Sequence, residues 1–93
     1  MTTALHAASC PKLAAGVRLR HDAARDCWVL LAPERVLMLD EIAHQVLQRC
    51  DGVATVEAIV EALAQDYQAD REQIAVDVQA MLSALIAKRM IEA

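Results

Sequence analysis

Aromatic residues are nearly missing from this chain. In 93 residues there is no phenylalanine, one tryptophan (Trp28) and one tyrosine (Tyr67). One domain of this length must therefore build its core from aliphatic side chains packed between helices and a small sheet. Glycine is as scarce, and Gly16 and Gly52 lie too far apart to form a phosphate-cradling loop. Serine occurs only as Ser9 and Ser83. Neither lies in a G-x-S-x-G nucleophile elbow, and Ser83 lacks the Asp-Ser-Leu setting of a carrier-protein attachment serine. The cysteines, Cys10, Cys27 and Cys50, are odd in number and include no C-x-x-C. That speaks against a disulfide framework or zinc site and for a reducing cytoplasm, with Cys27 and Cys50 as small buried hydrophobes. His6, His21 and His44 share no ligand spacing, so they read as surface or satisfied residues rather than metal ligands. Uncharged runs reach only about ten residues, short of a bilayer span. The N-terminus lacks the basic and apolar regions of a signal peptide.

The net charge of −4 is uneven. Residues 1–52 balance, with six basic and six acidic side chains, whereas residues 53–87 set Glu57, Glu61, Asp66, Asp70, Glu72 and Asp77 against Arg71 alone. An acidic second half opposes phosphate binding.

Apolar text concentrates in "WVLLAPERVLMLDEIAHQVL", Trp28 to Leu47, broken at Pro33-Glu34 and again at Asp40. Residues 1–12 show no period and read as a flexible arm; 13–93 read as a single domain. "VRLRH" alternates, Val17, Leu19 and His21 against Arg18 and Arg20, as a half-buried strand does. "CWVLLA" suits a central strand, and "RVLML", Arg35–Leu39, a third strand on an edge. Asp40 then caps a helix carrying Ile42, Val46, Leu47 and Cys50 at helical spacing, with Gly52 as its left-handed C-terminal cap. Thr55 caps a second helix with the stripe Val56, Ile59, Val60, Leu63 and Tyr67. Asp70 with Gln73 resembles a capping box for a third, whose stripe is Ile74, Val78, Met81, Leu82 and Leu85, with Lys88 and Arg89 complementing its C-terminal dipole. "MIEA" trails off or adds a short last strand. Three strands followed by three helices make an α+β domain of winged-helix-like layout.

Winged helices often read DNA. Here the third helix offers Arg71, Gln73 and Gln79 among Glu72 and Asp77, and Arg18, Arg20, Arg25 and Arg35 are interleaved with Asp22, Asp26 and Glu34. A nucleic-acid-binding winged helix is therefore the alternative reading. An apolar edge strand beside an apolar helix is a hazard when bare and a binding site when another chain fills it. Either "VLML" merely closes the core under the N-terminal arm, or it receives a partner strand.

"RLRHDAARDCWVLLAPERVLMLDEIAHQVLQRCDG", with "TVEAIVEAL" at 55–63 and the closing amphipathic helix, resembles the pyrroloquinoline quinone (PQQ) biosynthesis protein D family, PqqD. The likeness covers roughly residues 11–93 and rests on the order and spacing of its pieces. Arg35 stands where that family commonly has glycine after Pro-Glu, and Asp40 where it has a small polar residue. The resemblance implies a cytoplasmic peptide chaperone, not an enzyme, with no cofactor. Such a protein binds the ribosomal precursor peptide PqqA and presents it to the radical SAM enzyme PqqE, which joins a Glu and a Tyr of the peptide. It also implies that the peptide adds as a strand beside Arg35, Val36, Leu37, Met38 and Leu39, in a groove lined by Val78, Met81, Leu82 and Leu85 of the third helix. An empty edge of this kind, next to the stiff Pro33 connection, is further expected to pair two copies into a homodimer.

Overall fold

A computed structural model describes residues 5–93. The elements are β1 (Lys12–Leu13), β2 (Arg18–Asp22), β3 (Cys27–Ala32), β4 (Arg35–Leu39), α1 (Glu41–Gln48), α2 (Val56–Tyr67), α3 (Arg71–Ala87) and β5 (Ile91–Glu92). The expected meander is present: β2, β3 and β4 form an antiparallel sheet in that order, and three helices follow. β3 is central because all six of its residues are uncharged and its β-branched and aromatic members tolerate burial. Two-residue alternation turns Leu30 into the core with no exposure, beside Val46, Ile59, Leu63 and Leu82. Burying a leucine this completely stabilises by about 1.5–3 kcal/mol.

Each helix starts where a short polar side chain meets the helical period. The Asp40 carboxylate accepts the Ala43 N–H, the Thr55 hydroxyl accepts the Ala58 N–H, and the Asp70 carboxylate accepts the Glu72 N–H. The expected capping box at Asp70 does not form, because the Gln73 amide instead donates to Asp77 one turn on, at 3.1 Å. Nor does Gly52 cap α1. That helix stops at Gln48, with the Arg49 and Cys50 N–H groups turning back to Val46 and Leu47. Gly52 does have a positive φ, +81°, but in the following turn, where its N–H donates to the Pro11 carbonyl and a Cβ would approach Lys12 to 3.4 Å. Beside it the Asp51 carboxylate accepts the Val53 and Ala54 N–H groups at 2.8 and 2.9 Å. These bonds hold its pKa below the ordinary carboxylate value, the Ala54 bond most strongly.

The stretch expected as a flexible arm is docked over its described part; residues 1–4 of it lie outside the described residues. The Ala7 and Ser9 carbonyls accept the Glu57 and Val56 N–H groups, two of the donors that the first turn of α2 leaves unpaired. Pro11 is fully buried, and β1 pairs with β5, Lys12 opposite Glu92 and Leu13 opposite Ile91. Backbone pairing of this kind carries no periodic side-chain signal, and two residues are too few to show alternation.

Helices α2 and α3 end on left-handed residues that are not glycine: Gln68 at φ 49° and Arg89 at φ 61°. After each, the next N–H closes a six-residue loop, Ala69 to the Ala64 carbonyl and Met90 to that of Leu85. Those are the bonds of a Schellman cap.

Two stability measurements check these conformations. Gly52→Val is expected to cost about 1–2 kcal/mol, because a β-branched residue is strained at positive φ; an unchanged melting temperature would contradict the conformation. Conversely, Gln68→Gly and Arg89→Gly are each expected to gain about 0.5–1 kcal/mol. Each gain appears as a rise of a few degrees in a thermal scan, and a fall in both variants would refute the left-handed caps.

Candidate functional site

The connection between β3 and β4 is two residues, Pro33 and Glu34, and neither has a positive φ. Pro33 presets the first dihedral, and Arg35 has no positive φ either, so the turn needs no glycine after it. A turn this tight makes the closing pair, Ala32 and Arg35, a hydrogen-bonded one. Antiparallel pairs alternate between bonded and non-bonded, so Leu30–Leu37 and Trp28–Leu39 bond as well, whereas Leu31–Val36 and Val29–Met38 do not. The backbone N–H and C=O of Arg35, Leu37 and Leu39 thus point inward to β3. Those of Val36 and Met38 point outward, to the free side of the sheet. Among the described residues no strand pairs there, since β5 belongs with β1.

Side chains on β4 divide the same way. Leu37 and Leu39 are half-buried against the core, while Val36 and Met38 are 60% and 61% exposed on the opposite face of the sheet. Arg35 is exposed at the turn, beside a depression of about 290 Å³ that also includes Lys88, Arg89 and Met90. On α3, Val78, Leu82 and Leu85 are buried core residues, and Met81 is half-buried at the margin of the stripe. Of the nine residues singled out from the sequence, the accessible apolar ones are therefore Val36 and Met38, with Met81, Leu37 and Leu39 partly open.

A histidine missed as a structural element sits at the far end of β4. His44, on α1, stacks on Trp28 with ring centroids 4.1 Å apart and planes 9° from parallel. His21, directly across the ladder from Trp28, tilts against the same indole with ring centroids 5.2 Å apart and places its Nε2 3.4 Å from an Asp26 oxygen. His44 is 8% exposed, and its Nε2 has no hydrogen-bond partner among the described residues. Burial pushes its pKa below 6.5, partly opposed by the Glu41 carboxylate. The signal was there: His44 falls between Ile42 and Val46 on the first turns of α1, but a lone histidine at such a position names no partner. Cys50 behaves as expected of a buried thiol, with its pKa pushed up to about 12, chiefly by burial. Among the described residues no group of His, Cys, Asp and Glu could hold a metal ion, and no helix is long and apolar enough to cross a membrane.

An α+β domain whose edge strand is open and carries exposed apolar side chains has the form to which a peptide can add as a strand. Comparison with known proteins narrows this. Residues 27–91 match the family model of coenzyme PQQ synthesis protein D (PqqD). A "PqqA binding protein" of Xanthomonas campestris pv. campestris is 52% identical over 83 residues, 89% of this chain and 90% of that one. One from Rhodopseudomonas palustris is 54% identical over 84% of this chain and 76% of its own. The solution structure of the PqqD part of Methylobacterium extorquens PqqCD, described as a functional, stand-alone recognition element for ribosomally synthesised and modified peptides, superposes with a TM-score of 0.84. It has 45% identity and covers 98% of this chain and 97% of that one. TbiB1, solved in complex with the TbiA(beta) leader peptide, superposes with a TM-score of 0.76 at 26% identity, over 88% of this chain and 95% of that one. The chain belongs to the PqqD family.

The buried histidine makes stability depend on pH. Its folded pKa lies below the unfolded 6.5, so below that pH the unfolded chain takes up a proton that the folded chain refuses. His44 therefore costs no stability above pH 6.5 and destabilises increasingly as pH falls from there to its lowered value. Urea midpoints at pH 7.5 and 5.5 are expected to drop for the native protein. The drop should be smaller in His44→Phe, which keeps a ring against Trp28; an equal drop in both would contradict this account.

Proposed function

We propose that the protein is a non-catalytic, cytoplasmic peptide chaperone of PQQ biosynthesis: it binds the ribosomal precursor peptide PqqA as an added strand on β4 and presents it to the radical SAM enzyme PqqE. One observation carries the reading. Val36 and Met38 turn their backbone donors and acceptors to an edge that nothing among the described residues occupies. An added strand would bond those groups. Its alternate side chains would lie beside Val36 and Met38 on one face, and toward Leu37, Leu39 and the margin of α3 at Met81 on the other. Thioethers suit such a role, because they adapt to varied neighbours. The family, the PqqA-binding relatives and a fold neighbour solved with a leader peptide support it. The same free edge would pair two copies when no peptide is present. Three unpaired cysteines accord with a reducing compartment.

The nucleic-acid reading gains nothing from the site. Arg71, at the start of α3, is engaged by Glu61 and Glu57 of α2, and the Glu61 bond raises its pKa. Glu72 and Asp77 occupy the exposed surface beyond it.

Proline substitution separates the two sides of β4. Leu37→Pro removes an N–H that bonds to β3 and is expected to destabilise the fold. Met38→Pro removes one that faces the free edge, where proline is tolerated. Its fold is expected to survive while PqqA affinity, measured by calorimetry, falls about tenfold or more, since a lost bond and a disturbed register together exceed 1.4 kcal/mol. Native affinity in a folded Met38→Pro protein would exclude β4 as the receiving strand.

A further inference from the structure

The sheet has a second face, turned away from the helices. Its rows follow from the register. Arg18, Leu31 and Val36 stand side by side across β2, β3 and β4, and Arg20, Val29 and Met38 form the next row. Each row runs from a cation on β2 through an aliphatic residue on β3 to an exposed aliphatic residue on β4. Val29 is only 5% exposed although it is no part of the helix-packed core. Its cover is local. Arg20 and Met38 flank it, and Arg25 leans across, its Nη1 3.6 Å from the Met38 sulfur. The result is an open depression of about 570 Å³, with Val29, Leu31 and Val36 as its floor and Arg20, Arg25, His21 and the carboxylate of Asp22 at its border. Among the described residues Arg18 and Arg20 have no ion-pair partner, while Arg25 has only Asp22, at 3.9 Å.

An aliphatic floor with an arginine border is built for a particular kind of surface. Phosphates would use the arginines but not the floor, and a stacked base would want aromatic side chains, which this face lacks. A carboxylate-bearing protein surface with an apolar centre uses both, and guanidinium groups favour carboxylates by their paired donors. The chain around this patch is acidic overall, −4, so free arginines on one face are a local departure that gives the encounter a direction.

We infer that this outer sheet face, with Arg18 and Arg20 as its charged border and Val29, Leu31, Val36 and Met38 as its floor, docks the modifying enzyme, through a patch on that enzyme that carries carboxylates around an apolar centre. The inference rests on the reading above for the enzyme's identity. It assigns two jobs to two parts of the same sheet: the edge of β4 receives the peptide and the outer face receives the enzyme. β4 belongs to both, so a strand added to it would extend each row by one residue and bring alternate peptide side chains to the border of the enzyme's footprint.

The test is the charge reversal Arg18→Glu/Arg20→Glu, two exposed positions on the strand farthest from the β4 edge. Purified PqqE and full-length PqqA are titrated separately against the native protein and the variant, with a thermal melt to establish that both are folded. The expected result is PqqE affinity weakened about tenfold or more and PqqA affinity unchanged within about twofold, with the PqqE interaction of the native protein weakening at higher salt. Unchanged PqqE affinity overturns the inference. So does equal loss of PqqA affinity, which would put the peptide on this face. Arginine-dependent binding of an oligonucleotide without any effect on PqqE overturns it as well, as does a native homodimer dispersed by the reversal while PqqE binding persists. If the native protein binds PqqE through these arginines but not PqqA, the chaperone reading fails and the docking surface stands.

Discussion

β3 is hydrogen-bonded along both edges, and the rest of the molecule is arranged around that constraint. A strand paired twice must be flanked by two others, and in a sheet of three those two have one free edge each. Leu30 at its centre is wholly buried and anchors one face of the sheet to the helices. Among the described residues no helix covers the other face, which relies on its own long side chains, Arg20, Arg25 and Met38. The free edge and the open face of β4 are thus consequences of how β3 is satisfied.

The tight turn at Pro33-Glu34 decides which backbone groups are free. One residue more or less between β3 and β4 would shift the pairing and exchange Val36 and Met38 for Leu37 and Leu39 on the inward side. The half-buried leucines would then turn outward and the core would lose its cover. Packing and turn geometry therefore agree on one register, and that register aims two backbone donors and two acceptors at the open edge. At the other end of β4 the Trp28–His44 stack ties the sheet to α1. An aromatic contact does there what a phenylalanine-free core otherwise leaves to aliphatics, but it includes a ring whose burial opposes the charge it would take up as the pH falls.

Much of this was legible along the chain. The switch from two-residue to helical period at Asp40 located the end of the sheet, and Asp40, Thr55 and Asp70 marked all three helix starts, because a cap is a local bond made by a residue to its own neighbours. Helix ends were less legible. Gly52 drew attention as a cap by its type, yet its positive φ serves the turn that meets Pro11, while the left-handed positions that do end helices are held by Gln68 and Arg89. Tertiary packing at Met90, one residue past Arg89, imposes a conformation that local preference would give to glycine. The N-terminal stretch read as an arm for a similar reason: the carbonyls of Ala7 and Ser9 meet α2 some 50 residues later, and no pattern in their own side chains announces it.

From the sequence alone came the class of the fold, the order of its elements, the identity of the edge strand and the family resemblance, all of which rest on periodicity, caps and composition within short windows. Which side of β4 each residue takes was decided only in three dimensions. So was the burial of Val78, Leu82 and Leu85 beneath the surface they were expected to line, along with the alignment of Arg18 and Arg20 with the apolar floor and the stacking of His44 on Trp28. The physical reason is the same in each case. A period says that a residue has a face, but the partner that occupies that face comes from a distant part of the chain, and it is the partner that determines whether a side chain is core, border or site.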